Sequence, residues 1–297
     1  MDVAIKTTNL TKSYRKSEAL KGLDLEVPTG SVYGFLGRNG AGKTTTIKIL
    51  LGLIRPSGGK VEVLGADPQG DSVAIKRRVG YVSENPSLYK WMRVHEILSY
   101  TAGLQPNWDD REAERLIDRF GLDPNAKIKT LSRGQAAQVG LVCALSHKPD
   151  LLILDEPVSG LDVLVRRDFL DSIIGLIQEE GRTVFLSSHL VHEIERVADW
   201  IGVVDDGRLL LADDIESFKG GVKEIIVRHA GDNIPLCTSQ YVVSSESGGY
   251  ARITAFDYGE HCLLDIKRAG CEVVDVQDLS LEDTFVAHIR RGNGRVQ

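Results

Sequence analysis

The chain has 297 residues, of which 42% are hydrophobic and 26% are charged, and this composition is typical of a soluble globular protein with one large and one smaller domain. Its net charge of -6 argues against a general nucleic-acid binder, because such proteins usually present a basic face. No apolar run approaches the ~20 residues that a membrane-spanning helix needs, and the first residues do not follow the basic-then-apolar plan of a secretory signal. We therefore expect a cytosolic protein with no nucleic-acid partner.

Short apolar runs alternate with helical patterns through most of the chain. They predict strands at 32–36, 61–64, 79–82, 151–154, 183–186 and 201–204. The run at 151–154 is apolar throughout, which is typical of a strand buried on both faces. Strands that alternate with helices predict an α/β fold with a mainly parallel sheet.

A helical pattern fills the segment between the strands at 79–82 and 151–154. Asp109 and Glu112 have the spacing of a capping box at a helix start. Ala113, Leu116 and Ile117 then share one face of the predicted helix. We expect a helical subdomain over about residues 85–147, inserted between two strands of the sheet.

The pattern changes again after residue 220. Candidate strands lie at 224–227, 241–243, 251–254 and 271–276, and candidate helices at 260–269 and 281–290. The sequence thus predicts a main domain over residues 1–220 and a small α+β domain over residues 221–297. For the small domain we favour a stabilising or dimerising appendage over a ligand sensor, since fold alone assigns it no ligand.

Residues 37–44 match the P-loop pattern, in which Gly and four further residues precede Gly-Lys-Ser/Thr. Such glycines let backbone N–H groups turn toward a phosphate, and the helix start that follows adds its positive dipole end. We expect Lys43 to reach the β- and γ-phosphates, Thr44 to ligate Mg²⁺ and Thr45 to bind the α-phosphate. The predicted strand before the motif and helix after it argue against a chance glycine-rich turn. The full set of expected nucleotide contacts here is Gly37, Asn39, Gly40, Ala41, Gly42, Lys43, Thr44 and Thr45.

The buried strand at 151–154 ends in two carboxylates, Asp155 and Glu156, followed by Pro157. Asp155 is placed to hold Mg²⁺, and Glu156 to act as general base on the attacking water. Because adjacent strand residues point to opposite sides, the two roles need the chain to bend at the strand end. A solvated charged loop without chemistry is the alternative, and the P-loop upstream argues against it.

Between these motifs lies Leu131-Ser132-Arg133-Gly134-Gln135, directly before a predicted helix. It resembles the signature motif of ABC ATPases, with Arg133 where the consensus has glycine. The resemblance implies that Ser132, Gly134 and Gln135 close over the γ-phosphate of an ATP held by a second subunit.

Further motifs follow in the order of the same family. Tyr14 resembles the aromatic residue that stacks on adenine, and the segment 159–162, which ends at Asp162, resembles the D-loop that contacts the opposite subunit. His189 resembles the switch histidine that contacts the γ-phosphate; alone, a histidine at a strand end is more often structural. The resemblance covers about residues 3–220 and implies a P-loop NTPase cassette, with an antiparallel β subdomain beside the parallel sheet.

Glu84 departs from the family pattern, which usually has glutamine at this place after the strand at 79–82. A glutamate can still bind Mg²⁺, but it adds a negative charge near the γ-phosphate. Our hypothesis is that Glu84 keeps the metal role with altered coupling to the membrane subunit.

The segment Ser280–Phe285 resembles the ending of ATPases that pair with ABC-2-type permeases, which are exporters. The stretch from Trp91 to Leu131 resembles a bacterial Ytr-type subgroup of that branch. Tyr89, Trp91 and Met92 are most simply core residues of the helical subdomain, and the alternative is a groove that receives a permease helix.

The resemblance implies an ATPase that uses ATP and Mg²⁺, pairs with an identical or related second subunit, and powers a separate permease at the inner face of the cell membrane. Two alternatives stay open. One is a non-transport ABC ATPase of DNA repair or translation, although neither a long coiled coil nor a second cassette is present. The other is a regulatory subunit whose hydrolysis is incidental.

Overall fold

The computed structural model describes residues 2–15, 17–229, 240–247 and 249–292. Its contacts divide the chain into two compact units, residues 1–212 and 213–297, each described here by itself. The division falls at residue 212 rather than at 220 because helix 215–220 packs with elements of the second unit. Among the described residues, no helix is long and apolar enough to cross a lipid bilayer.

The first unit contains strands and helices that alternate along the chain. Its strands are β1 (Val3–Tyr14), β2 (Ser17–Pro28), β3 (Val32–Gly37), β4 (Gly58–Val63), β5 (Val79–Val82), β6 (Leu151–Asp155), β7 (Thr183–Ser188), β8 (Trp200–Asp205) and β9 (Arg208–Asp214), of which the last two residues fall in the second unit. Its helices are α1 (Lys43–Leu50), α2 (Ser72–Arg78), α3 (Val94–Ala102), α4 (Asp110–Arg119), α5 (Arg133–Leu145), α6 (Val163–Glu180) and α7 (Val191–Val197). A 3-10 turn spans Ile128–Thr130.

Two sheets form the framework of this unit. The larger has the order β5-β6-β7-β3-β8-β9, and β5 through β8 pair in parallel. The smaller has the antiparallel order β2-β1-β4. The structure therefore has the predicted mainly parallel sheet and, beside it, an antiparallel β sheet.

The central strands β3, β6 and β7 are buried along their whole length, as the apolar run at 151–154 predicts. Phe35 and Phe185 pack with ring centroids 5.1 Å apart, and both are fully buried. Each such side chain stabilises the fold by roughly 1.5–3 kcal/mol. Since parallel strands end at the same edge of a sheet, residues 37, 155 and 188 bring their following loops together.

The segment between β5 and β6 contains α3, α4, the 3-10 turn and α5. Asp109 caps α4 by accepting from Arg111 N at 2.9 Å and Glu112 N at 3.2 Å, which confirms that helix start. The prediction that the Glu112 side chain accepts from Asp109 N is wrong. Asp109 N donates to Ser146 O at 2.8 Å, and Glu112 instead pairs with Arg115 at 2.7 Å.

The expectation that the aromatic residues after Glu84 are core residues is also wrong for two of them. Tyr89 is 47% exposed and Trp91 is 70% exposed. They form an aromatic patch with Tyr100, whose ring lies edge-on to Tyr89 with 5.7 Å between centroids. Burial of these rings would need a covering element, and none of the described residues supplies one.

The second unit is an antiparallel sheet with helices. It contains α8 (Ile215–Gly220), β10 (Val222–Arg228), β11 (Tyr241–Ser247), β12 (Tyr250–Phe256), α9 (Glu260–Arg268), β13 (Glu272–Asp278) and α10 (Leu281–Gly292), with the sheet order β11-β12-β10-β13. Its core includes Ile225, Ile253 and Ile266. These elements agree with the α+β character that the sequence predicts for this region.

Candidate functional site

The phosphate loop leaves the end of β3 and enters α1. Gly42, the residue before α1, has a φ of 108°, which favours glycine. A Cβ at this position would lie 2.8 Å from Ala19 O, so the close approach of β2 also requires glycine. The backbone turn places Lys43 at the first position of the helix, with its side chain buried.

The Lys43 ammonium is held by three oxygens. Its Nζ donates to Gly37 O at 2.6 Å and to Arg38 O at 3.3 Å, and it lies 3.0 Å from Glu156 Oε1. Lys43 is 6% exposed and Glu156 is 8% exposed. A buried ion pair of this kind holds both groups in place, because separating them would leave a buried charge uncompensated.

Asp155, at the end of β6, sits beneath the phosphate loop. Its Oδ1 accepts from Ser187 Oγ at 2.8 Å and from Thr44 Oγ1 at 3.4 Å. Burial raises the pKa of the Asp155 carboxyl; the hydrogen bonds from Ser187 and Thr44 oppose this, and the negative charges of Glu156 and Glu84 add to it. A divalent cation would offset that concentration of negative charge.

Glu156 turns away from the direction of β6. Its φ is 49°, in the left-handed region that non-glycine residues seldom occupy. This is the bend that two different roles for Asp155 and Glu156 require, and the prediction of a bend is confirmed. Backbone strain of this kind is concentrated at functional sites, where the surrounding structure holds it in place.

His189 follows β7 and meets Glu156. Its Nδ1 lies 2.7 Å from Glu156 Oε2, so the two oxygens of that carboxylate face Lys43 on one side and His189 on the other. Glu84 approaches from the loop after β5, and its Oε1 accepts from Ser159 Oγ at 3.1 Å. The ends of β3, β5, β6 and β7 thus bring four separate motifs to one place.

These groups surround an open cleft of about 220 Å³. Predicted site residues that line it are Asn39, Gly40, Gly42, Lys43, Thr44, Thr45, Glu84, Glu156 and His189. Gly37, Ala41 and Asp155 are buried beneath it.

Four residues at or beside the cleft were not among the expected contacts: Ala19, Arg38 and Ser159, which line it, and Ser187, which bonds Asp155. Arg38 and Ser159 lie within the predicted P-loop and D-loop segments. The sequence could have indicated Ser187, since polar residues follow an otherwise apolar strand pattern there. It could not have indicated Ala19, because the position of that residue depends on how the two sheets meet.

The signature segment does not line this cleft. Ser132 begins α5: its Oγ accepts from Gln135 N at 3.2 Å, and Gln135 Oε1 accepts from Ser132 N at 3.0 Å. This reciprocal capping box leaves both side chains exposed to solvent. Gly134 is buried, and a Cβ there would lie 2.5 Å from Val165 Cγ1.

Tyr14 and Asp162 also lie outside the cleft-lining set. Tyr14 is 47% exposed, and Lys12 Nζ lies 5.2 Å from its ring centroid. Asp162 precedes α6 and accepts from Val165 N at 3.0 Å, as a helix cap does. The predicted site therefore separates into a cleft group and a group outside the cleft, whose members are exposed except for Gly134.

Comparison with known proteins places this arrangement in one family. The family model described as "ABC transporter" matches residues 20–159. The bacitracin transport ATP-binding protein BcrA of Bacillus licheniformis is 39% identical over 212 residues, which are 71% of this chain and 69% of that protein. The daunorubicin/doxorubicin resistance ATP-binding protein DrrA of Streptomyces peucetius is 33% identical over 303 residues, which are 96% of this chain and 92% of that protein.

A solved structure shows the same fold at lower identity. The ATP-binding cassette MJ0796, a dimer in a post-hydrolysis state with ADP and Pi, aligns with a TM-score of 0.63 and 22% identity. The match covers 71% of this chain and 98% of that chain.

Proposed function

This chain belongs to the family of ABC transporter ATP-binding proteins, an ATPase subunit of the ABC-2 exporter type, and from that premise we propose how its residues bind and hydrolyse ATP. The observation that carries the proposal is the cleft in which Lys43, Glu156 and His189 meet beside the phosphate loop. Each group comes from a different strand end, so the fold itself sets their spacing.

The phosphate loop binds the triphosphate. Backbone N–H groups of residues 39–45 and the positive end of α1 attract the phosphate oxygens. Lys43 reaches the β- and γ-phosphates by exchanging its Glu156 partner for phosphate oxygens, and Thr45 holds the α-phosphate.

Thr44 and Asp155 suit Mg²⁺. They offer a hydroxyl and a carboxylate oxygen 3.4 Å apart, and oxygen is the ligand that this ion prefers. Glu84 contributes a further oxygen from the loop after β5. The bound ion would neutralise charge on the β- and γ-phosphates, and it would relieve the repulsion among the three carboxylates.

Glu156 acts as general base on the attacking water. Its Oε1 becomes available when Lys43 turns to the phosphates, while Oε2 stays on His189. His189 holds the carboxylate in place and stabilises the charge that develops on the γ-phosphate.

A second cassette, identical or related, completes the site. Ser132, Gly134, Gln135 and Asp162 would cover the γ-phosphate bound in the partner's cleft, and Tyr14 would stack on the adenine. Tyr14, Ser132, Gln135 and Asp162 are exposed in a single chain, which supports this role, since a group that acts on a neighbour must be accessible to it.

We assign the coupling to a separate permease, at the inner face of the membrane, to the aromatic patch of Tyr89, Trp91 and Tyr100. Rings that stay exposed are typical anchors at protein interfaces. Crosslinking from position 91 to a cytoplasmic loop of the permease would support this, and failure across neighbouring positions would count against it.

The direction we propose is export, since the relatives' names refer to bacitracin transport and to daunorubicin resistance. The narrower resemblance to a Ytr-type subgroup stays a prediction.

The deciding experiment is Glu156→Gln in the full-length chain. Gln keeps the size of the side chain and removes the base, so ATP turnover should fall about 10²–10⁴-fold while ATP still binds. The variant should then form an ATP-dependent dimer that persists, as measured by light scattering. Normal turnover of this variant, or no binding of ATP by the parent chain, would refute the proposed site.

A further inference from the structure

A buried ion pair lies behind His189, outside the cleft. Glu193, in α7, is 2% exposed, and its Oε1 lies 3.4 Å from Arg166 Nε, in α6. Neither residue matches a motif of the cleft. A buried carboxylate is costly unless it is paired and hydrogen-bonded, so its partners indicate its purpose.

The partners of Glu193 enclose His189 on both sides along the chain. Glu193 Oε2 accepts from Ser188 Oγ at 2.5 Å, and the same Ser188 oxygen accepts from Leu190 N at 3.0 Å. One carboxylate thus fixes, through one hydroxyl, the residue before His189 and the residue after it.

The other side of the pair reaches the segment 159–162. Arg166 Nη2 donates to Leu161 O at 3.1 Å, while its Nε faces Glu193. The same segment carries Ser159, which bonds Glu84 in the cleft. A displacement of this segment would therefore change the positions of both Glu84 and His189.

Helix α7 provides a fixed support for this network. Ile194 packs so closely on β3 that a Cβ at Gly34 would lie 2.3 Å from Ile194 Cγ2. Because the helix cannot shift toward the sheet, the Glu193 carboxylate is a fixed point for the loop that carries His189.

We propose that Arg166 and Glu193 are positioning residues for ATP hydrolysis: they fix the backbone of Ser188–Leu190, aim the His189 imidazole at Glu156, and tie it to the segment 159–162. This inference rests on the role proposed above for His189. It also requires that the pair act on turnover rather than on nucleotide binding, because the phosphate loop and Lys43 lie outside the network.

The test is a double-mutant cycle with Glu193→Gln and His189→Ala in the full-length chain. Glu193→Gln preserves shape and should lower kcat between about ten- and a hundredfold, with the KM for ATP changed less than about twofold. In the His189→Ala background, Glu193→Gln should have no further effect on kcat. Equal effects in both backgrounds would overturn the inference, since a purely structural role would be additive.

A matched control is the exposed pair Arg196–Asp171, which also joins α7 to α6, at 2.8 Å. Arg196→Gln should leave kcat unchanged, and a loss equal to that of Glu193→Gln would show that any link between the helices matters equally. Should Glu193→Gln fail to fold, the double variant Arg166→Met with Glu193→Leu removes both charges. It should fold and still turn over slowly, whereas normal turnover of this variant would overturn the inference.

The double-mutant cycle distinguishes an error in the proposed role of His189 from an error in the inference about Arg166 and Glu193. If His189→Ala alone leaves kcat unchanged, the role of His189 in the proposed function is wrong, and the positioning pair has no target. If His189→Ala lowers kcat but Glu193→Gln acts independently of it, only the inference about the pair is wrong.

Discussion

The two halves of the proposed nucleotide site are built on different principles. In the cleft half, Lys43, Asp155 and Glu156 are buried and held against one another by strand ends. In the signature half, Ser132 and Gln135 are exposed and satisfy each other at the start of α5. The cleft half is therefore prearranged and concentrates negative charge, while the signature half is stable alone and, in the proposed function, meets its ligand only in a second molecule.

Two variants, each damaged in a different half of the site, test whether the halves meet between chains. Lys43→Ala removes phosphate binding and Ser132→Arg obstructs the signature surface, and each should lower turnover at least about 10²-fold. Mixed in equal amounts, the two variants should regain about a quarter of parental turnover, because half of the pairs contain one intact composite site.

The matched control is a mixture of two preparations of Lys43→Ala, which should stay inactive. No recovery in the complementing mixture, despite normal pairing by light scattering, would show that the two halves do not meet between chains.

Substitution of Glu84 tests whether negative charge in the cleft weakens ATP binding. Glu84→Gln retains an oxygen that can accept from Ser159 and removes one charge close to the phosphates, so the KM for ATP should fall about three- to tenfold. Glu84→Asp keeps the charge and should not lower the KM. If turnover, KM and transport are all unchanged in Glu84→Gln, the departure at this position has no chemical consequence.

The smallest expected effect concerns stability, where the two halves should respond in opposite directions. The pKa of Asp155 is raised in the folded chain, so stability falls as the pH rises through that folded-state pKa. Below the ordinary value of 3.8 both states are protonated and the penalty vanishes. Asp155→Asn should therefore raise the melting temperature in EDTA at neutral pH, by an amount that shrinks toward acid.

Ser132→Ala provides the contrast. Loss of the cap should cost about 0.5–2 kcal/mol at every pH between 5 and 8. Calorimetry that shows a destabilised Asp155→Asn, or a pH-dependent Ser132→Ala, would contradict the difference between the halves.

The strands and the phosphate loop could be predicted from the sequence because neighbouring residues specify them. A run of apolar residues predicts β6, and the bend at Glu156 follows from the two roles of adjacent carboxylates. The contact of Asp155 with Ser187 depends on β6 lying next to β7, which no local pattern specifies. Arg166 lies in α6 and Glu193 in α7, so no local pattern predicts their pairing either.

The exposure of Trp91 shows a different limit. Its type favours burial, and the sequence contains no information on whether the covering element belongs to the same chain. The signature residues, in contrast, needed the family resemblance, because Ser132 and Gln135 read locally as an ordinary helix cap.

The close packing of Gly34 under Ile194 has a consequence for variation in this protein. Alanine at position 34 leaves no space for the isoleucine, so in a random library it should survive only together with a smaller residue at position 194. Positions 34 and 194 would therefore have to change together. Because β3 leads into the phosphate loop and α7 follows His189, this requirement restricts which substitutions can accumulate next to the site.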